Sequence, residues 1–301
     1  MTDSRDFNAS RRGFLGLAAG AGALALAGQG SPARAQVRTS AHIVILGAGA
    51  AGTALANRLA ERLDGARITI VDGRAEHWYQ PGFTLIAAGL QPANYSVSTT
   101  DEWLPDGVTL KPEYAAEIDP EAKTVGLAGG ETLSYDYLIV APGITMDWDA
   151  IEGFSLDMVG ENGIGAVYAG PDYAAKTWAA MDRFTEEGGE AVFFRPATEM
   201  KCAGAPLKYT FLTDDYARRK GTRGATNITY AAHSGTLFGV PIVNEKVEML
   251  YDDRGVERRY DHVLKALDPG RKVLTFDTPT GEEEIPFDFT NIIPPMRAPE
   301  V

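Results

Sequence analysis

A chain of 301 residues and 32.3 kDa, 45% hydrophobic and 23% charged, has the composition of a globular protein of about two domains. Its net charge of -13 excludes the basic surface that nucleic-acid binding requires. Four histidines without ligand spacing and a single cysteine exclude structural zinc, iron–sulfur ligation and an internal disulfide.

The first thirty-five residues read as an address rather than as fold. Ser10-Arg11-Arg12-Gly13-Phe14-Leu15 places a twin arginine before an apolar run from Leu15 to Ala27, and Ala33-Arg34-Ala35 supplies a small-x-small cleavage site before Gln36. Thirteen apolar residues fall short of the ~20 that a bilayer span needs. A twin-arginine leader predicts export of a folded, often cofactor-loaded protein to the bacterial periplasm. Its removal takes four Arg and two Asp and leaves the mature chain near -15.

His42-Ile43-Val44-Ile45-Leu46 is a continuous apolar run, the pattern of a strand buried on both faces. It enters Gly47-Ala48-Gly49-Ala50-Ala51-Gly52, a match to G-x-G-x-x-G, and a helical pattern follows through Ala54, Leu55, Leu59 and Leu63. A second strand, Ile68 to Val71, ends at the acid Asp72. Each part has a physical task. Gly47 permits the tight turn, Gly49 lets backbone approach a pyrophosphate, and Gly52 allows close packing of the helix. The helix start offers free N–H groups and partial positive charge, and Asp72 can accept from a ribose diol. Further on, Tyr135 to Val140 reads as a strand closed by Ala141-Pro142-Gly143. This strand with A-x-G resembles the second fingerprint of two-domain flavoproteins and favours FAD over NAD at the first site.

From about Gly160 the pattern restarts, with a helix from Lys176 to Phe184 and a strand from Glu190 to Phe194. In a two-dinucleotide reductase that strand should feed a second glycine loop. Here the chain reads Arg195 to Pro206, nearly without glycine, and the only cysteine, Cys202, stands in the loop. A helix from Leu207 to Arg219 follows, with Pro206 suited to its first turn. A thiol before a helix start, between Lys201 and Lys208, is expected to be biased toward thiolate. The plainer alternative is a buried structural cysteine.

At this point the sequence resembles the sulfide:quinone oxidoreductases of the FAD-dependent pyridine nucleotide-disulfide oxidoreductase superfamily, in particular the subgroup that includes the mitochondrial enzyme. Lys201-Cys202-Ala203-Gly204-Ala205-Pro206 is the most specific match. Tyr79 to Leu85, Leu237 to Val240 and Pro294-Pro295-Met296 follow in the right order, so the resemblance runs from about Ala41 to Val301. It implies an α/β fold of two Rossmann-like domains, the FAD domain split around the second. Expected boundaries are a signal peptide at 1–35, the first part of the FAD domain at 36–160, the cysteine-bearing domain at 161–290, and a return to the FAD domain from 291 to 301. The implied cofactor is FAD, with Gly47, Gly49, Ala50, Ala51 and Gly52 at its pyrophosphate, Asp72 at the ribose and Ala115 beside the adenine. Gln80 would make a further contact, and Gly143 joins the cofactor-binding set through the second fingerprint.

The implied reaction oxidises sulfide to sulfane sulfur through Cys202 and a second redox cysteine, hands the sulfur to an acceptor, and reduces a membrane quinone. The family carries that second cysteine, a Gly-Asp motif at the flavin, much of the quinone pocket and the membrane-attaching helices beyond the counterpart of Met296. The sequence therefore reads as a fragment rather than a degenerate relative, with activity expected only of the longer protein. Peripheral membrane contact follows from the resemblance alone, and a homo-oligomer is compatible with it. The nearest rival is the flavoprotein subunit of a sulfide dehydrogenase that delivers electrons to a cytochrome. That relative usually carries a flavin-attaching cysteine near the Tyr79 loop, which has none here. A non-catalytic FAD-binding protein is the rival from another class. His233, after an apparent strand from Asn227 to Ala232, receives no role, and Glu282-Glu283-Glu284 reads as a solvated turn between strands.

Overall fold

The computed structural model describes residues 36–300, so the leader at 1–35 and Val301 lie outside the described residues. The architecture is α/β, built on two parallel sheets. The first begins with β1 (His42–Leu46), all five residues of which are buried. The glycine turn leads into α1 (Ala50–Arg62), then β2 (Arg67–Val71) and, after a long excursion, β3 (Val108–Lys111). A three-stranded antiparallel meander over residues 115–134 precedes β4 (Tyr137–Val140). Strand order is β4-β1-β2-β3, all parallel. The continuous apolar runs of β1 and β2 fit this arrangement, because a parallel strand is covered on both faces. In the long excursion the hairpin Glu76–Trp78 with Val97–Thr99 carries the loop Gln80–Gly82 and a short helix, Phe83–Ile86.

The second sheet uses β5 (Ile164–Gly165), α2 (Pro171–Glu187), β6 (Gly189–Phe194), α3 (Ala205–Lys220), β7 (Thr226–Ala231), α4 (Pro241–Arg254) and β8 (Glu257–Arg259). An antiparallel meander, β9 (Val263–Asp268), β10 (Val273–Thr278) and β11 (Gly281–Pro286), intervenes before β12 (Phe289–Asn291). The parallel order is β5-β12-β6-β7-β8, so the last strand inserts between two earlier ones. Met296–Arg297 then pairs antiparallel with Thr145–Met146, which follows β4. The acidic run Glu282 to Glu284 corrects the sequence reading, for it lies inside β11 rather than in a turn. Cross-strand cations answer it, with Lys265 Nζ 2.6 Å from Glu282 and Arg271 Nη2 2.6 Å from Glu284. A local charge reading cannot see partners supplied by β9 and by the turn between β9 and β10.

Inside the second unit one carboxylate gathers three arginines. Asp214 on α3 has a fully buried side chain that accepts from Arg218 Nε at 2.8 Å, Arg223 Nε at 2.6 Å and Arg254 Nη1 at 2.7 Å. It thereby pins α3 to the entry of β7 and to the end of α4. Burial pushes its carboxyl up, but hydrogen bonds from the three guanidinium groups outweigh that and leave it below the ordinary aspartate range. A depressed carboxyl contributes stability that is present above its unfolded-state value and lost as pH falls through its folded-state value. Asp214→Asn should therefore lower stability by roughly 3 kcal/mol in urea unfolding at neutral pH, with the deficit shrinking as the parent is acidified.

Candidate functional site

The turn between β1 and α1 is shaped by contacts that only glycine allows. Gly47 has φ +95, and a Cβ there would stand 2.3 Å from the Ala141 carbonyl oxygen. The first glycine of the loop and the closing segment of β4 therefore lie against each other, bringing together two stretches ninety-four residues apart. A Cβ on Gly52 would stand 1.8 Å from the Gly47 oxygen, so the first turn of α1 sits directly on the glycine turn. At Gly49 the nearest atom to a Cβ would be Arg74 Nη2, at 3.9 Å. A Cβ there would be in ordinary contact with that guanidinium alone, beside the start of α1, which has neither a side-chain cap nor an acid in its first turn. Such a bare, cation-flanked cradle is what a dinucleotide diphosphate needs.

Two cavities meet at this turn. The larger, ≈ 920 Å³, is lined by Gly49, Ala50, Ala51, Gln80, Gly143 and Lys201 among others. The smaller, ≈ 420 Å³, is lined by Gly47, Asp72, Arg74, Tyr114, Ala115 and Pro142 among others. Nine of the ten residues singled out from the sequence are thus gathered on or directly behind one surface, Gly52 supporting it from below. Cys202, the tenth, is not on the wall, although its neighbours Glu199, Met200 and Lys201 are. Its thiol is exposed, which removes the alternative of a buried structural cysteine.

Asp72, 7% exposed, is closely engaged. Oδ2 accepts the Ala48 N–H at 2.8 Å and Arg74 Nη2 at 3.2 Å, and Oδ1 accepts the Arg74 N–H at 2.9 Å and Nε at 3.3 Å. Burial raises its carboxyl, but the bonds from Arg74 and Ala48 outweigh it and the net direction is down. Arg74 carries no signal in the sequence beyond standing two residues after the acid.

The cysteine loop joins β6 to α3. Cys202 has φ +52, in the left-handed region, and its carbonyl accepts the Ala205 N–H at 2.9 Å and the Tyr168 hydroxyl at 3.0 Å. Burial, then the nearby Cys202 and Tyr230, push the Tyr168 hydroxyl up, so it stays protonated and donates. Lys201 Nζ donates to Gln80 Oε1 at 2.6 Å across the two units. Burial, then the Arg74 charge, brings its ammonium down to about 8. Two further segments singled out in the sequence converge here. The Met296 N–H donates to Thr198 Oγ1 at 2.9 Å, and the Phe238 ring lies 3.9 Å from where a Gly204 Cβ would stand. His233 follows β7, and burial, then Arg195, lowers its imidazole. Among the described residues no cluster of three His, Cys, Asp or Glu could hold a metal, and no helix is long and apolar enough to cross a membrane.

Fold and site together define a two-domain flavoprotein with FAD as its cofactor. Residues 41–171 match the family model for pyridine nucleotide-disulphide oxidoreductases. The chain is similar to sulfide:quinone oxidoreductases. It is 34% identical over 267 residues to the mitochondrial sulfide:quinone oxidoreductase of Mus musculus, covering 86% of this chain and 58% of that protein. It is 26% identical over 267 residues to the sulfide-quinone reductase of Aquifex aeolicus, covering 86% and 60%. The crystal structure of the sulfide:quinone oxidoreductase from Aquifex aeolicus superposes with a TM-score of 0.73 at 22% identity, covering 87% of this chain and 60% of that one. The chain thus spans about three fifths of the length of these relatives.

The glycine contacts give a paired expectation. Gly52→Ala forces backbone apart and should cost about 1–3 kcal/mol, with FAD uptake reduced. Gly143→Ala meets no atom within 4 Å but sits at φ +79, so it should cost about 1–2 kcal/mol through backbone strain alone. Thermal melts of the two variants, with and without FAD, check both.

Proposed function

We propose that the chain carries the FAD-holding and cysteine-bearing parts of a flavoenzyme that oxidises sulfide to sulfane sulfur and passes the electrons to a membrane quinone. The observation that carries this reading is the exposed Cys202, held left-handed next to a cavity lined by the glycine loop, Gln80 and Gly143. Kinship with proteins named for sulfide and quinone supports the substrates. In this reading Gly47, Gly49, Ala50, Ala51 and Gly52 hold the FAD diphosphate and Asp72 the ribose. Ala115 lies beside the adenine, and Gln80 and Gly143 line the flavin end. The twin-arginine leader puts the protein in the periplasm, peripheral to the inner membrane.

Cys202 works with a second cysteine that the family resemblance implies. Hydrosulfide attacks the disulfide between them: one S–S bond forms, another breaks, one cysteine becomes a persulfide and the other leaves as a thiolate. The hydrosulfide proton goes to water. The persulfide sulfur passes to an acceptor and leaves the first cysteine as a thiolate. When bound, FAD would supply the two-electron acceptor that re-forms the disulfide from the two thiolates. Tyr168 holds the Cys202 carbonyl, and Lys201, the residue before the cysteine, is held by Gln80 Oε1, so both neighbours of the thiol are fixed in place.

In the complete protein, Cys202→Ser should preserve fold and FAD absorbance. Sulfide should then reduce the flavin at least ~100-fold more slowly, a barrier rise of about 2.7 kcal/mol. Stopped-flow bleaching of the flavin band reads this directly. Reduction at the parent rate would make the cysteine structural and the reading wrong.

A further inference from the structure

We propose that Arg74 is the side chain that grips the FAD diphosphate, reaching over the glycine loop from the seam between the two cavities. Among the described residues it is the one charged side chain that lines both. A dinucleotide stretched from the smaller cavity to the larger must pass it, and the linking group of a dinucleotide is its doubly charged diphosphate.

Geometry prepares the guanidinium for that task. Asp72 takes Nε and Nη2, fixing one edge of the planar fork, while Nη1 makes no hydrogen bond among the described residues. A guanidinium held along one edge presents its remaining N–H groups in a fixed direction, and two parallel donors suit phosphate oxygens. The group is 45% exposed and stands across the bare position of Gly49, beside the uncapped start of α1. Backbone N–H groups and the guanidinium thus bracket the same gap from two sides.

Charge supports the assignment. The chain as a whole carries -13, yet this cavity is lined by two cations, Arg74 and Lys201, against one carboxylate, Glu199. Arg74 has one carboxylate, and among the described residues Lys201 has none within ion-pair distance. The Lys201 ammonium is lowered by burial and then by the neighbouring Arg74 charge, so the two cations face the same space.

The inference needs FAD at the glycine loop but no sulfide chemistry. Adenosine, ADP and FAD are titrated calorimetrically into the parent chain, Arg74→Gln and Arg74→Lys, each at two salt concentrations. Arg74→Gln should weaken ADP and FAD about ten-fold, or about 1.4 kcal/mol, and flatten their salt dependence, while adenosine binds as in the parent. Arg74→Lys, which keeps the charge and loses the fork, should recover part of the loss. Equal weakening of adenosine and ADP would mean that Arg74 merely supports Asp72 and would overturn the proposal. So would unchanged ADP affinity, or a parent chain that binds no ADP. Cys202 takes no part in these titrations, so a failure confined to the Arg74 variants leaves the sulfide reading intact, and the converse holds.

Discussion

The glycine loop has no side chains to hold its own shape, so its geometry depends on the Asp72 carboxylate at the end of the neighbouring strand. That carboxylate accepts the Ala48 N–H at 2.8 Å, and the Gly47 N–H goes to the Val71 carbonyl at 2.7 Å. Two successive backbone groups of the turn are thereby fixed to β2 and to the residue just after it. Burying an unpaired carboxylate would be prohibitive, which is why Arg74 must accompany it. One ion pair therefore does two things: it neutralises the acid that organises the loop, and it plants a cation where the loop leaves a gap.

The same economy of contacts joins the two units. The short helix after Gln80 does not pack on its own sheet. Phe83, Ile86, Ala87 and Ala88 are buried with α2, α3 and β6 in the core of the second unit. Two tyrosines of α3 lock them there, Tyr209 donating to the Ala87 carbonyl at 2.8 Å and Tyr216 to that of Ala88. Since Gln80 is three residues before Phe83, this docking delivers its amide to Lys201. The cofactor-facing loop and the cysteine loop are thus registered by hydrophobic burial, with the Gln80–Lys201 bond reporting the register rather than creating it.

Much of this was legible in the sequence because it is local. The apolar run at 42–46, the three glycines and Asp72 lie within thirty-one residues, and each carries its own physical signature. The missing glycines between Arg195 and Pro206 were equally plain, since an absence in a fixed register can be read from the chain. Arg74, Tyr168 and the Gln80–Lys201 bond were not legible, for their meaning lies in what stands opposite them in space. Tyr168 reaches the Cys202 carbonyl across thirty-four residues, and no pattern of hydrophobicity encodes that. The acidic run in β11 failed for the same reason, its cations being Lys265 on β9 and Arg271 in the turn between β9 and β10. The exposure of Cys202 also had to be seen, because residue type alone favours burial for cysteine.

Comparison of the two strand–loop–helix units explains why one holds a nucleotide and the other a thiol. Both place a loop at the carboxyl end of a parallel strand and before a helix start, the usual ligand-facing position of such sheets. In the first, Gly47 takes φ +95 without penalty and Gly49 leaves a gap for phosphate. In the second, φ +52 falls on Cys202, where a side chain costs about 1–2 kcal/mol. Two hydrogen bonds onto its carbonyl, from Ala205 N–H and the Tyr168 hydroxyl, offset that strain. Phe238 beside Gly204 and Met296 bonded to Thr198 brace the loop from either side. The left-handed turn thus has different consequences in the two halves. With glycine it lets backbone draw close to a ligand; with cysteine it leaves an exposed thiol-bearing residue beside the cavity the first loop has made.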